Sequence, residues 1–196
     1  IAVSFSDITY AGADKDNYTI TDQAGTTADI TQKDLTVSGI TVSDKTYDST
    51  TSATVSVTGI SYSGLVDGDN FSVTATGVFN NEHVGTQTVT LTETPLGTDV
   101  ENYNITYQAS SSADISARAI TISGITASDK VYDSTTAATL TYNSIAGFIA
   151  GDDVSISAIT GTFAEEHVGT NIAVSFSDIT YAGADKDNYT ITDQAG

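Results

Sequence analysis

Runs of hard oxygen donors are the first residues in this chain whose types and spacing could do chemistry. Asp14-Lys15-Asp16-Asn17 returns at Asp185–Asn188, and Asp67-Gly68-Asp69-Asn70 has a counterpart in Gly151-Asp152-Asp153. Calcium takes about six to eight oxygens, and neighbouring loops can pool them. By residue type, Asp14, Asp16, Asn17, Asp67, Asp69, Asp152, Asp153, Asp185 and Asp187 could supply weak calcium ligands. Calcium is the one cofactor this pattern brings into view. Against it, no run has EF-hand spacing, Lys15 sits inside one of them, and Asp and Asn favour turns for local reasons.

Other reactive groups are sparse. His83 and His167 are the only histidines, each within a Glu-His-Val-Gly-Thr run. A metal site or triad needs several converging groups, so each is expected to be a turn or edge histidine bonded locally. Glu165-Glu166 resembles a carboxylate pair for glycoside cleavage, but neighbours on a strand point to opposite faces, and Asn81-Glu82 stands in the other copy. There is no nucleophile elbow, phosphate loop or zinc motif, and no enzyme is expected. Lys45 and Lys130 precede a Tyr-Asp pair. They read as ion-paired lysines or as side chains lying over a tyrosine ring; the sharper reading is a covalent Lys–Asn or Lys–Asp crosslink. Of ten tyrosines and six phenylalanines most fall at inward phases, whereas Tyr10, Tyr62 and Tyr142 are expected outside, where they could form a glycan platform. Asn17, Asn104 and Asn188 head glycosylation sequons.

Composition bounds the scaffold that must hold these groups. The 196 residues carry 25 acidic and 6 basic side chains, a net charge of −19, yet only 16% are charged. Disordered acidic tails are more densely charged and poorer in Val, Ile and Tyr, so the chain is expected to fold. A surface almost without Lys and Arg repels phosphate backbones, which excludes nucleic acid as a partner, and it disfavours anionic membranes. No apolar run is long enough for membrane insertion. With no cysteine there are no disulfides, and an extracellular domain of sufficient size can keep a core without them.

Repetition then organises the chain. Ser38–Thr50 (SGITVSDKTYDST) returns as Ser123–Thr135 (SGITASDKVYDST), with 132 − 47 = 85 between the tyrosines. Glu82–Thr86 returns at Glu166–Thr170, Asn17-Tyr18 at Asn102-Tyr103, and Ala28–Ile30 at Ala113–Ile115, with nearly the same step. Residues 1–25 return letter for letter at 172–196. The larger unit is therefore a duplicated pair of unlike repeats, an arrangement expected to suppress strand exchange between neighbours.

Within each repeat the pattern is β. Phe71, Val73, Ala75 and Phe79 alternate with polar residues, as do Val89 and Leu91, Tyr103, Ile105 and Tyr107, and Ile172, Val174 and Phe176. Twice the alternation changes phase at a glycine, Gly39 and Gly124, which predicts a bulge or a strand crossing between sheets. One-turn helical pieces are expected at most at Asp48–Ala53, Asp133–Ala138 and Ser63–Asp67. The fold class is all-β or mostly β: tandem small β-sandwich or β-grasp-like domains of about 85 residues, fused end to end into an elongated rod. The expected boundaries are 1–31 (the C-terminal part of a truncated repeat), 32–116 and 117–196. The junctions Ala28–Gly39 and Ala113–Gly124 lack proline and carry no glycine before their last residue, so they are stiff. Residues 1–31 have no opening half. Either they dock on the next repeat, or another chain completes them, or the folding units lie nearer 1–86 and 87–170.

The ordered blocks Asp44–Thr51, Gly68-Asp69-Asn70, His83–Thr86, Asn102–Thr106 and Ala113–Ile115, with their second copies, resemble the YDG-type repeat, which is similar to MBG-type stalk repeats. The glycine of that family's name is replaced by Ser49 and Ser134, which puts the local turn geometry in question. The resemblance implies no catalytic residues. It implies a structural stalk or spacer of a giant secreted, filamentous-haemagglutinin-like bacterial surface adhesin or extracellular filament, holding a binding tip away from the cell. Its partners would be neighbouring repeats of the same array and like chains, in fibre or homophilic contact. The alternative is an adhesion module that itself binds glycan, matrix or a like chain.

Overall fold

The structure, a computed structural model, describes residues 1–142 and 147–194. It is mostly β, and among the described residues no helix is longer than a single 3-10 turn. In the first repeat the strands are β3 (Lys33–Ser38), β4 (Thr41–Val42), β5 (Lys45–Thr46), β6 (Ser52–Ala53), β7 (Val55–Ser56), β8 (Ser61–Ser63), β9 (Ser72–Phe79), β10 (Gly85–Leu96), β11 (Tyr103–Thr106) and β12 (Ser110–Ser116). Before them stand β1 (Ala2–Ser4) and β2 (Gly25–Thr27). The second repeat has β13 (Arg118–Thr121), β14 (Ile125–Ala127), β15 (Ala137–Ala138), β16 (Leu140–Tyr142), β17 (Ser155–Phe163), β18 (Val174–Ala182) and β19 (Tyr189–Thr192).

Each repeat is built on one long hairpin. β9 and β10 pair antiparallel with Val89 opposite Phe79, and β17 and β18 do so with Val174 opposite Phe163. The first hairpin is widened to the order β5-β12-β10-β9-β6, and a second sheet runs β11-β3-β8. Alternation turns Val73 and Phe79 of β9, Val89 and Leu91 of β10, and Leu35 and Val37 of β3 inward, where they are buried in one hydrophobic cluster with Tyr103 and Ile115. The cluster continues through Ile120, Ile122, Ile125 and Tyr189 of the second repeat. Strand pairings close within 33–116 and within 118–192. Ala117 alone separates β12 from β13.

Gly39 is where the chain changes sheets. With φ at 84° it turns from β3, which pairs with β8, into β4, which pairs with β7. Its missing Cβ matters twice, since a Cβ there would lie 2.5 Å from the Gly59 carbonyl oxygen. Just beyond, Gln108 grips Ile40 at both ends: Oε1 accepts from the Ile40 amide at 3.0 Å, and Nε2 donates to its carbonyl at 2.8 Å. Gln194 holds Ile125 in the same way.

The helical pieces fall elsewhere than expected. Ser52–Ala53 and Ala137–Ala138 are strands, and Asp48 and Asp133 instead make side-chain turns, accepting from the amides of Thr50 and Thr135. The 3-10 turns are Lys15–Asn17, Val100–Asn102 and Lys186–Asn188, within the oxygen-rich runs or their equivalent. Tyr62 is also corrected. It is half-buried, packs edge-on against Phe71 at 5.2 Å and accepts from the Val73 amide, while Tyr10 and Tyr142 are exposed.

Candidate functional site

The most developed constellation lies where the two repeats meet. Asp152, in the loop before β17, accepts hydrogen bonds from three hydroxyls: Tyr189 of its own repeat at 2.5 Å, and Tyr47 at 3.0 Å and Ser49 at 3.1 Å from the other. The Tyr47 and Tyr189 rings meet edge to face at 5.5 Å, and Phe148 closes the far side of Tyr189 at 4.8 Å. A second contact runs through Asn188. Its Oδ1 accepts from the Val84 amide at 3.1 Å, which leaves Nδ2 to donate to His83 Nδ1 at 3.1 Å. His83 Nδ1 is thereby the acceptor in this bond.

Local sequence explains why these groups are presented. Ser49 has φ 59° and Ser134 φ 60°, so both retain the left-handed turn that glycine would favour, and Ser49 uses its hydroxyl across the junction. Tyr189 opens β19 directly after the Lys186–Asn188 turn, and its hydroxyl also accepts from the Ile149 amide at 2.9 Å. Burial, with the hydrogen bond to Asp152 next, pushes the Tyr189 phenol up to about 12. Burial also raises Tyr47, Ser49 pulls the other way and Asp152 adds to the rise. Neutral phenols facing one carboxylate donate without adding charge, which suits an interface and not proton transfer near neutral pH.

The same parts stand unpaired across repeats elsewhere. Tyr103 donates to Asp69 and accepts from the Val66 amide, as Tyr189 does with Asp152 and Ile149. Among the described residues no other side chain bonds the Asp69 carboxylate, whose own amide donates to the Val66 carbonyl, and Asn102, the counterpart of Asn188, is exposed.

The expected calcium ligands are separately engaged. Asp16 and Asp187 pair with the adjacent Lys15 and Lys186. Asp153 accepts from the Ala184 amide and donates its own amide to Asp185. Asp14 precedes a 3-10 turn and Asp67 lies exposed in a loop. Asn17 closes the first 3-10 turn by donating its amide to the Asp14 carbonyl. Among the described residues no three His, Asp or Glu side chains come together in a group that could hold a metal ion.

Lys45 and Lys130 take the same pose. Each pairs with the Asp three residues on, donates to two carbonyls (Thr50 and Ser52, or Thr135 and Ala137) and lies over a ring, Phe79 or Phe163, not the tyrosine expected. The hydrogen bond from Lys130, with Thr135 next, holds the Asp133 carboxyl below its usual range.

Sequence reasoning missed the junction. His83 does make a local bond, accepting from Gln87 Nε2 at its carbonyl, but its ring reaches 105 positions along the chain to Asn188. The available signal was that the best-kept blocks, around Tyr47, His83 and Asn188, recur once per repeat on either side of a junction without a linker. Set beside known proteins, the chain matches the YDG domain model at residues 31–112 and 116–196. No curated protein and no solved structure matches it.

Proposed function

The chain belongs to the YDG-domain family, and from that premise we propose that it is a spacer: tandem β domains whose work is reach and mechanical continuity. The proposed setting is extracellular, within the stalk of a large bacterial surface adhesin or filament related to filamentous-haemagglutinin-like and MBG-type arrays. A binding tip is carried elsewhere, and these repeats have no catalytic role of their own. The observation that carries this reading is the junction. β12 passes into β13 through Ala117 alone, while Tyr47, Ser49, His83 and Val84 bond to the next repeat at Asp152 and Asn188. A flexible linker would carry no such set of side-chain bonds.

Surface area agrees. The chain exposes 12664 Å², against about 8800 Å² for one compact globule of its mass. Small-angle scattering on this chain and on chains lengthened by whole repeats tests the proposal. The maximum dimension should grow in proportion to repeat number, with a radius of gyration for this chain well above the about 16 Å of a compact chain of this length. A radius near that value, growing only as the cube root of length, overturns the spacer reading.

A further inference from the structure

Glu93 is a carboxyl in the wrong place for its charge. It lies on β10 at an inward phase, between Leu91 and Pro95 and opposite Ala75 of β9. Both of its carboxyl oxygens are buried, and neither has a hydrogen-bond partner. Among the described residues no cation pairs with it. Burial accordingly raises the Glu93 carboxyl above the usual carboxylate range, and the Gln108 amide is the one group that pulls the other way. The titratable group that faces it is the Tyr107 phenol. Burial, with the Glu93 charge next, raises that phenol in turn, so it stays neutral while Glu93 titrates.

The second repeat fills the same position differently. Val174 stands 174 − 89 = 85 places after Val89, but Gln194 stands 194 − 108 = 86 after Gln108, as Tyr189 does after Tyr103. The added residue is a bulge in β18. The register slips between the pairs Ala158–Thr180 and Thr160–Ser177, and Asp178, with φ 54°, is turned out to solvent. Ile179 thereby takes the place of Glu93 and packs against the hydrophobic core. One repeat expels its acid and puts an isoleucine inside, whereas the other keeps the acid.

What Glu93 sits beside gives the difference a consequence. Its carboxyl lies toward the Gln108 amide, and the Gln108 side chain holds both ends of Ile40 where the chain passes between sheets. Ala109, the next residue, accepts from the Leu91 amide and ties that segment to β10. In the second repeat Gln194 grips Ile125 in the same way, with no acid near it at the place of Ile179. A charged carboxylate without a partner does not stay buried. Glu93 as a residue is only half-buried, so rotation about its own side-chain bonds carries the charge to water and leaves a void beside Gln108. We propose that Glu93 is a pH-sensitive pin under the first repeat's sheet crossing: protonated, it stays tucked beside Gln108 and the grip on Ile40 holds, whereas ionised it swings out and that grip loosens. The second repeat, with Ile179 there, is indifferent to this titration. Because burial raises the carboxyl, the stabilisation is complete below the ordinary carboxylate range and is lost as pH rises through the raised value. The two unlike repeats then differ in behaviour as well as in sequence, one yielding with pH and one constant. The failure of this inference leaves the spacer reading standing.

Hydrogen exchange of the Ile40 and Ile125 amides, read by NMR in the full chain, tests it. Base catalysis speeds both amides alike, so the ratio of their protection isolates the first grip from the second. Between about pH 4 and about pH 8 the Ile40-to-Ile125 ratio should fall, by about tenfold for each unit by which the Glu93 carboxyl-carbon titration lies above the ordinary glutamate value of about 4.3. Glu93→Gln, which keeps the shape and cannot ionise, should hold the ratio constant. Glu93→Ile, which copies the second repeat, should do the same. A wild-type ratio that does not change with pH overturns the proposal, and so does a change that survives in either variant.

Discussion

Tyr47 and Tyr132 occupy the same place in their repeats, but Tyr47 is 1% exposed and Tyr132 is 54% exposed. The difference is made by the neighbour: only Tyr47 has an Asp152 and a Tyr189 to lie against. Truncating a buried aromatic costs about 3–5 kcal/mol, whereas a surface change stays within roughly 0.5 kcal/mol. Tyr47→Ala is therefore expected to lower the urea midpoint sharply and Tyr132→Ala to leave it nearly unchanged. Equal losses would mean that the junction contact does not form. The motif was legible in the sequence, and so was its importance by recurrence. What could not be read is that one carboxylate collects three hydroxyls, because Asp152 and Tyr47 are 105 positions apart and nothing local links them. Ser49 is the clearest case of a readable departure with an unreadable outcome. Left-handed backbone costs a non-glycine residue about 1–2 kcal/mol, yet both serines adopt it. Each serine hydroxyl finds an acceptor there, the Asp152 carboxylate for Ser49 and the Tyr132 hydroxyl for Ser134.

The strands were legible wherever alternation ran long enough. β9, β10 and β18 follow the period-two pattern of Phe71–Phe79, Val89–Leu91 and Ile172–Phe176, because a half-buried strand must put alternate side chains in the core. The two-residue strands were not legible, since β5, β6 and β15 are defined by what pairs with them and not by their own residues. The expected helical turns failed for the same reason: Asp48 and Asp133 satisfy the next turn with their side chains, an option that Asp offers the backbone in place of helix. The phase change at glycine was read correctly at Gly39, and the two glycines now separate. Gly39 and Gly124 have φ of 84° and 86°, but only at Gly39 would an added Cβ strike backbone, whereas at Gly124 it meets open space. Gly124→Ala should cost about 1–2 kcal/mol, the left-handed penalty alone. Gly39→Ala should cost distinctly more, because the β3-to-β4 crossing must also move away from Gly59. Denaturant titration of the two variants checks this, and equal costs would show that the crossing at Gly39 is not tightly packed.

Across the whole molecule the dominant long-range force is self-repulsion, with a net charge of −19 and few cations to offset it. Four of the six are spoken for locally: among the described residues, Lys15, Lys45, Lys130 and Lys186 each pair with an aspartate on their own turn. Salt should therefore stabilise the chain by screening, since the Debye length falls from about 30 Å at 0.01 M to about 3 Å at 1 M. Calcium is a separate question. The oxygen-rich runs first suggested it, but Asp69 and Asp152 accept from tyrosines, Asp153 and Asp185 bond each other's loops, and Asp16 and Asp187 hold lysines. Binding a cation would have to break these bonds. A site with a Kd of about 10 μM, met by 1 mM calcium, would add about 2.7 kcal/mol, or roughly 5–10 °C for a chain of this size. The expectation is that melts in 1 mM calcium and in chelator superimpose at matched ionic strength, while raising sodium chloride from 10 to 500 mM lifts both together. A calcium-specific rise of that size would mean that loops from adjacent repeats rearrange to share a cation, and the stiffness of the array would then rest on the ion as well as on the Asp152 junction.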